Sequence, residues 1–311
     1  MKSNKTENLV LEELPSSSAA AASPEARARL RRFTIRAIML TALFAVPLWQ
    51  LARHAWKTEV QSHILLIPFV CWYLFKIAKE KEMGTPRPSP ISGCIAAVVG
   101  LAALAAYWHW GINGNLPRND ALSLAMTGFL GLQLANAFFT LGWPVLRSRL
   151  FAVCFLVFLI PLPLAFTEFL SIMLQRASAD AAEYMLSLVQ MPFLRNDLVF
   201  QMPGLSIKVA EECSGVRSTL VLFITSLLAG HLFLRTGWKK ALLALVIFPL
   251  GILRNGFRIT AISWLTVNVD AGIIDGPLHH HGGPFFFGLS LIPLFALLWL
   301  LRRSDFKANR R

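Results

Sequence analysis

Eight stretches of the chain are apolar over roughly the length a helix needs to cross a bilayer: 34–52, 62–78, 91–110, 121–141, 149–167, 216–234, 240–267 and 283–302. A hydrocarbon core of about 30 Å takes roughly 20 such residues. Inside it every backbone N–H and C=O must find a partner within the segment, which favours helices. The expected fold class is therefore an all-α integral membrane protein with about eight transmembrane helices and an extracytoplasmic insertion between the fifth and sixth. Composition agrees, since 55% of the 311 residues are hydrophobic and only 15% are charged; soluble domains carry about 25% charge. The seventh run is the longest and contains Pro249, Gly251 and Gly256, so a kink or break is expected there.

Basic residues orient such a chain, because loops rich in Lys and Arg stay in the cytoplasm. Arg27, Arg29, Arg31 and Arg32 precede the first run; Lys76, Lys79, Lys81 and Arg87 follow the second. Arg147 and Arg149 follow the fourth, Arg235, Lys239 and Lys240 the sixth, and Arg302, Arg303, Lys307, Arg310 and Arg311 the last. With eight spans these five segments share one side. The alternate loops are poorer, and residues 268–282 hold no Lys or Arg. Both termini are thus expected in the cytoplasm. The net charge of +13 belongs to this pattern and points to membrane lipids as partners, with no nucleic acid. Residues 1–32, polar and rich in Ser and Ala, lack the apolar core of a signal peptide and read as a disordered cytoplasmic tail. A membrane domain over 33–304 and a basic tail over 305–311 complete the division.

The segment at about 168–215 is too long for a plain connection. “TEFLSIMLQRASADAAEYMLSLVQ” has apolar residues at helical spacing, which suits an interfacial helix. “LVFQMPGLSIKVAEE” reads as short extended pieces around a Pro203-Gly204 turn. Asn113-Gly114-Asn115 reads as another turn, and His63 in the second run is given no role.

Three kinds of reactive side chain then fall at one level. Cys213 stands in “EECSGVRS” just before the sixth run, beside Arg217 and at a helix N-terminus, both of which favour a thiolate. Arg254 and Arg258 lie in the outer half of the seventh run, where a buried guanidinium costs a few kcal/mol and normally faces a polar cavity. The bland alternative is an ion pair with Glu211 or Glu212. His279, His280 and His281 enter the last run. Cys71, Cys94 and Cys154 lie within apolar runs and act as small hydrophobes. There is no CxxC pair and no HExxH, and three adjacent histidines on a regular element cannot converge on one ion. No metal or cofactor is expected; a histidine acting as general base to the cysteine is the better chemistry.

“VAEECSGVRS”, “RNGFRI” and “HHHGG” leading into an aromatic-rich last run resemble motifs of the exosortase/archaeosortase family of membrane transpeptidases. “SHILLIPFVCWYLF” and “FLVFLIPLPLAFTEFLSIMLQ” resemble its upstream segments, so the likeness covers roughly residues 60–302. The resemblance implies a cysteine peptidase and transpeptidase of a bacterial inner membrane, with its active site on the extracytoplasmic side. Its partners would be membrane-anchored proteins with C-terminal sorting signals: a short Pro-containing motif, a membrane helix and a basic tail. Cleavage would transfer the protein to a surface or polysaccharide acceptor. On that likeness Cys213 matches the nucleophile, Arg258 the arginine of an Asn-x-x-Arg motif beginning at Asn255, and His279 the catalytic histidine, with His280 as second choice. Arg217 and Glu212 would support the site or bind substrate. Two other readings stay open: a transporter with Arg254, Arg258 and His231 along a polar path, and an acyltransferase that uses His279 and serves polysaccharide export.

Overall fold

The computed structural model describes residues 24–78, 85–209, 215–270, 272–273 and 283–308. The apolar runs fold as helices: α1 (Pro24–Leu43), α2 (Ala45–Lys57), α3 (Ile67–Ile77), α4 (Pro90–Ala106), α5 (Arg118–Thr140), the short α6 (Trp143–Ser148) and α7 (Leu150–Phe155), α8 (Leu164–Leu188), α9 (Val216–Phe233), α10 (Gly237–Leu245), α11 (Ile247–Asn268) and α12 (Gly283–Ala308). Among the described residues six helical stretches are long and apolar enough to span a bilayer, and two sharply bent pairs bring the number to eight. The chain is an all-α multi-pass membrane protein.

Proline chemistry sets two of the breaks. Pro47 has no N–H to offer the carbonyl of Leu43, and α1 ends at Leu43, turning 65° into α2. Pro249 stands in the same relation to Leu245, where α10 ends and α11 begins after Val246. The expected break of the seventh run is thus present at Val246, one turn before its proline, within a stretch that still reads as one span. The first helix also starts earlier than the apolar run, at Pro24, inside the segment read as tail.

The fifth run differs from the expected straight span over 149–167. Helical residues Leu150–Leu159 stop after about 15 Å, half a bilayer core, and the chain turns 92° into α8. Ile160-Pro161-Leu162-Pro163 makes the turn, and α5 supplies partners to the backbone it frees. Asn119 Nδ2 donates to Leu162 O (2.5 Å) and Ser123 Oγ to Pro161 O (2.7 Å), while Asp120 Oδ1 accepts from Leu164 N (2.8 Å) at the start of α8. Gln61 in turn donates to Asn119 Oδ1.

The helix expected from residue 168 is therefore part of α8, and it packs along α11. Ser178, Ala179 and Ala182 form its buried face, whereas Phe169, Ile172 and Met173 are exposed. A Cβ on Gly256 of α11 would lie 2.9 Å from the Ala181 Cβ, so only glycine permits this approach.

After α8 the expected extended pieces form a three-stranded antiparallel sheet, β1 (Leu194–Asn196), β2 (Val199–Met202) and β3 (Leu205–Lys208), in the order β1-β2-β3. Met202 pairs with Leu205 around the Pro203-Gly204 turn, where Gly204 has a φ of +74°. Phe200, fully buried, joins Ala179, Ala182, Leu186 and Ile259 in the core beneath the sheet. Arg195 bonds Asp180 (2.8 Å) and Glu183 of α8 and covers the Phe200 ring. Burial opposes the Arg195 charge, but these two carboxylates outweigh it and hold its pKa above the ordinary value.

At the opposite end of α9 a buried ion pair closes the bundle. Lys239 Nζ donates to Asp305 Oδ1 (2.7 Å) and Ser304 Oγ (2.6 Å), and Asp305 also accepts from Arg235 N and Thr236 Oγ1.

Candidate active site

α11 is the element on which the candidate residues converge, because it touches α8, α9, α10, α12 and β3. Its positions 254, 255 and 258 occupy just over one turn. Asn255 is buried at 2% exposure, and its Nδ2 has no hydrogen-bond partner. Arg254 and Arg258 are half-buried on either side of it.

Three flanking segments meet this turn. The first is the end of β3: Ile207, Lys208 and Val209 enclose a cavity of about 30 Å³ with Asn255, Arg258 and Ile259. That space admits one small group or a water. Val209 is itself buried, with Gln175 Nε2 of α8 at 3.5 Å from its carbonyl.

The second is the entrance to α9. Gly215 caps this helix with φ +71° and ψ 13°, a left-handed conformation that glycine adopts without penalty. Arg254 Nη2 donates to Ser218 Oγ (2.6 Å), and Ser218 Oγ donates on to Gly215 O (2.9 Å). A Cβ on Gly215 would come within 2.6 Å of that same Nη2. One turn further in, Gly251 lets Thr219 approach α11 closely.

The third is the start of α12, where Phe286, 3% exposed, packs edge-on against Phe257 with ring centroids 6.2 Å apart. Phe257 lies between Gly256 and Arg258, so the first turn of α12 is at the level of Arg258.

Cys213, Glu212, His279 and His280 lie outside the described residues. Their sequence neighbours do not: Val209 and Gly215 bracket the cysteine segment, and Gly283 follows the histidines by two to four residues. Arg217 is exposed on the first turn of α9, and Ser218 is the side chain that meets Arg254. Sequence reasoning passed over Ser218, although its position one helical turn below a Gly-capped start was a usable signal. It also gave Lys208 no weight.

The arrangement sets Arg258 and the buried Asn255, whose amide donor has no partner, beside a small cavity between β3 and α11, with Arg254 turned to the α9 entrance. Such donors suit the binding of carbonyl or carboxylate oxygen. Comparison with curated proteins and with solved structures finds no match. The family model for transmembrane exosortase matches residues 56–296, more than half of the chain. That range contains the α9 entrance, α11 and the start of α12, and the chain belongs to the transmembrane exosortase family.

Proposed function

We propose that the protein is a membrane cysteine peptidase and transpeptidase that cleaves C-terminal sorting signals of exported proteins and joins them to a cell-surface or polysaccharide acceptor. One observation carries the reading. The described neighbours of Cys213 (Val209 and Gly215) and of the histidines (the first turn of α12) all pack on residues 254–258 of one helix.

In this mechanism the Cys213 thiolate attacks the scissile carbonyl, its proton having passed to His279. Arg258 stabilises the oxyanion of the tetrahedral intermediate. His279 returns the proton to the leaving amine, the C–N bond breaks and a thioester remains on Cys213. An acceptor amine or hydroxyl then attacks the thioester, gives its proton to His279 and restores the thiol. Arg217, Glu212 and His280 are assigned supporting or substrate-binding places around this centre. The charge pattern of the loops supports an extracytoplasmic position for this centre, and membership of the exosortase family supports a bacterial inner membrane.

The transporter reading needs His231 on a path with Arg254 and Arg258. His231 lies about 20 Å along α9 from Ser218 and stacks on Phe151 at 3.7 Å, which disfavours it.

The test is processing of a co-expressed membrane protein with a candidate sorting signal. Cleavage by the wild type, lost in both Cys213→Ala and Cys213→Ser at normal membrane levels, is the expected result. Cleavage that persists in both variants overturns the mechanism.

A further inference from the structure

Among the described residues, the sheet beside the candidate site has an edge with no strand partner. Val209 N donates to Leu198 O (2.9 Å), and the register continues Phe200↔Ile207 and Met202↔Leu205. In an antiparallel ladder, pairs that exchange hydrogen bonds alternate with pairs that do not. Leu198/Val209, Phe200/Ile207 and Met202/Leu205 are the bonded pairs. Ser206 and Lys208 therefore turn their N–H and C=O groups away from β2. Among the described residues no strand pairs with that side of β3. Exposed edges of this kind accept an added strand readily.

Two further observations give the edge a direction and a chemistry. The Ser206 and Lys208 side chains are exposed on the outer face, while Leu205 and Ile207 turn toward the core. At the inner side lies the 30 Å³ cavity, lined in part by buried Asn255, whose Nδ2 has no hydrogen-bond partner. The charged residues that line that cavity, Lys208 and Arg258, are both basic.

We infer that the free edge of β3 is the docking strand for the extended segment of the peptide substrate. The segment pairs with Ser206 and Lys208 through its backbone, and an acidic side chain faces Lys208. A small residue turns inward to the cavity at Asn255. The chain order supports this, because β3 ends five residues before Cys213. A segment held on this edge is delivered to the loop that the proposed function makes catalytic. The inference rests on that reading for the identity of the ligand as a sorting signal.

The experiment uses the full-length enzyme in membranes and reporters whose sorting segment carries Glu, or Lys in its place. Ser206→Pro removes an edge N–H that β2 does not use, and Lys208→Glu inverts the cross-strand charge. Both are expected to reduce cleavage of the Glu reporter at least tenfold, and Lys208→Glu is expected to regain most of the loss on the Lys reporter. A photo-crosslinker at residue 206 in the Cys213→Ala background is expected to capture the Glu reporter.

Cleavage within twofold of wild type in both variants, or capture absent at residue 206, overturns the docking strand. Loss in Lys208→Glu without charge-swap rescue overturns the acidic contact. If Cys213→Ala still cleaves while residue 206 captures the reporter, the proposed mechanism fails and the docking strand stands.

Discussion

Arg254 and Arg258 lie one turn apart on α11 and have different tasks. Arg254 is committed to the α9 entrance through Ser218, whereas Arg258 borders the cavity with the buried Asn255. For Arg258 the proposed oxyanion role predicts that Arg258→Gln lowers cleavage by about 10²–10³-fold at normal protein levels. Arg258→Lys should recover little of this, because an ammonium cannot reproduce the planar fork. Initial rates of reporter processing check both. At Gly215 an added methyl meets two penalties, a left-handed backbone worth about 1–2 kcal/mol and the Arg254 guanidinium at 2.6 Å. Gly215→Ala is expected to lower the unfolding temperature in detergent and to reduce activity. Ser218→Ala should preserve the fold better than Gly215→Ala, since it removes two hydrogen bonds but adds no clash and no backbone strain. These residues were partly legible in the sequence. An arginine in an apolar run advertises itself by its cost, whereas Ser218 matters only through a partner 36 positions away.

At the scale of elements, the joints decide the architecture. Asp305 and Lys239 lock α12 to the turn between α9 and α10 with both side chains nearly out of solvent, 7% and 9% exposed. Removing one partner leaves a buried, uncompensated charge, so Asp305→Ala should destabilise the protein by roughly 3 kcal/mol. The double replacement Lys239→Met with Asp305→Leu should cost less. Thermal unfolding of the three proteins in one detergent tests the comparison. The sheet depends in the same way on Arg195, through Asp180, Glu183 and the face of Phe200. Arg195→Ala should speed amide exchange in β1 to β3 about tenfold and leave α4 and α5 unchanged. Prolines show why such joints are hard to read ahead of the fold. Pro47 and Pro249 each stand four residues after a helix end, yet Pro293 sits inside α12 with no break. Whether a helix absorbs a proline depends on what its neighbours offer the freed carbonyl.

For the whole molecule the basic segments predict a single orientation. Reporter fusions after residue 311 should be cytoplasmic, and an accessible tag inserted at Gly272 should be extracytoplasmic. The reverse pattern would place the α11 cluster on the wrong side for acting on exported proteins. The number of crossings rests on two bent pairs, so a single-cysteine accessibility scan across Leu150–Leu188 would show which part of that pair crosses the bilayer.

Some of this follows from local composition alone. Runs of apolar residues become helices because the bilayer leaves their backbone groups no other partner, and the predicted orientation rests on Lys and Arg because of the cost of moving charge across. The Pro203-Gly204 hairpin belongs with these, since glycine meets the turn's φ requirement locally. The rest needed the tertiary structure. The 92° turn before α8 stands because Asn119, Asp120 and Ser123 of another helix satisfy its backbone. The burial of the small face of α8 on Gly256 is a property of two surfaces at once. The meeting of β3, the α9 entrance and the α12 start on residues 254–258 depends on contacts between segments far apart in the chain, which no local pattern encodes.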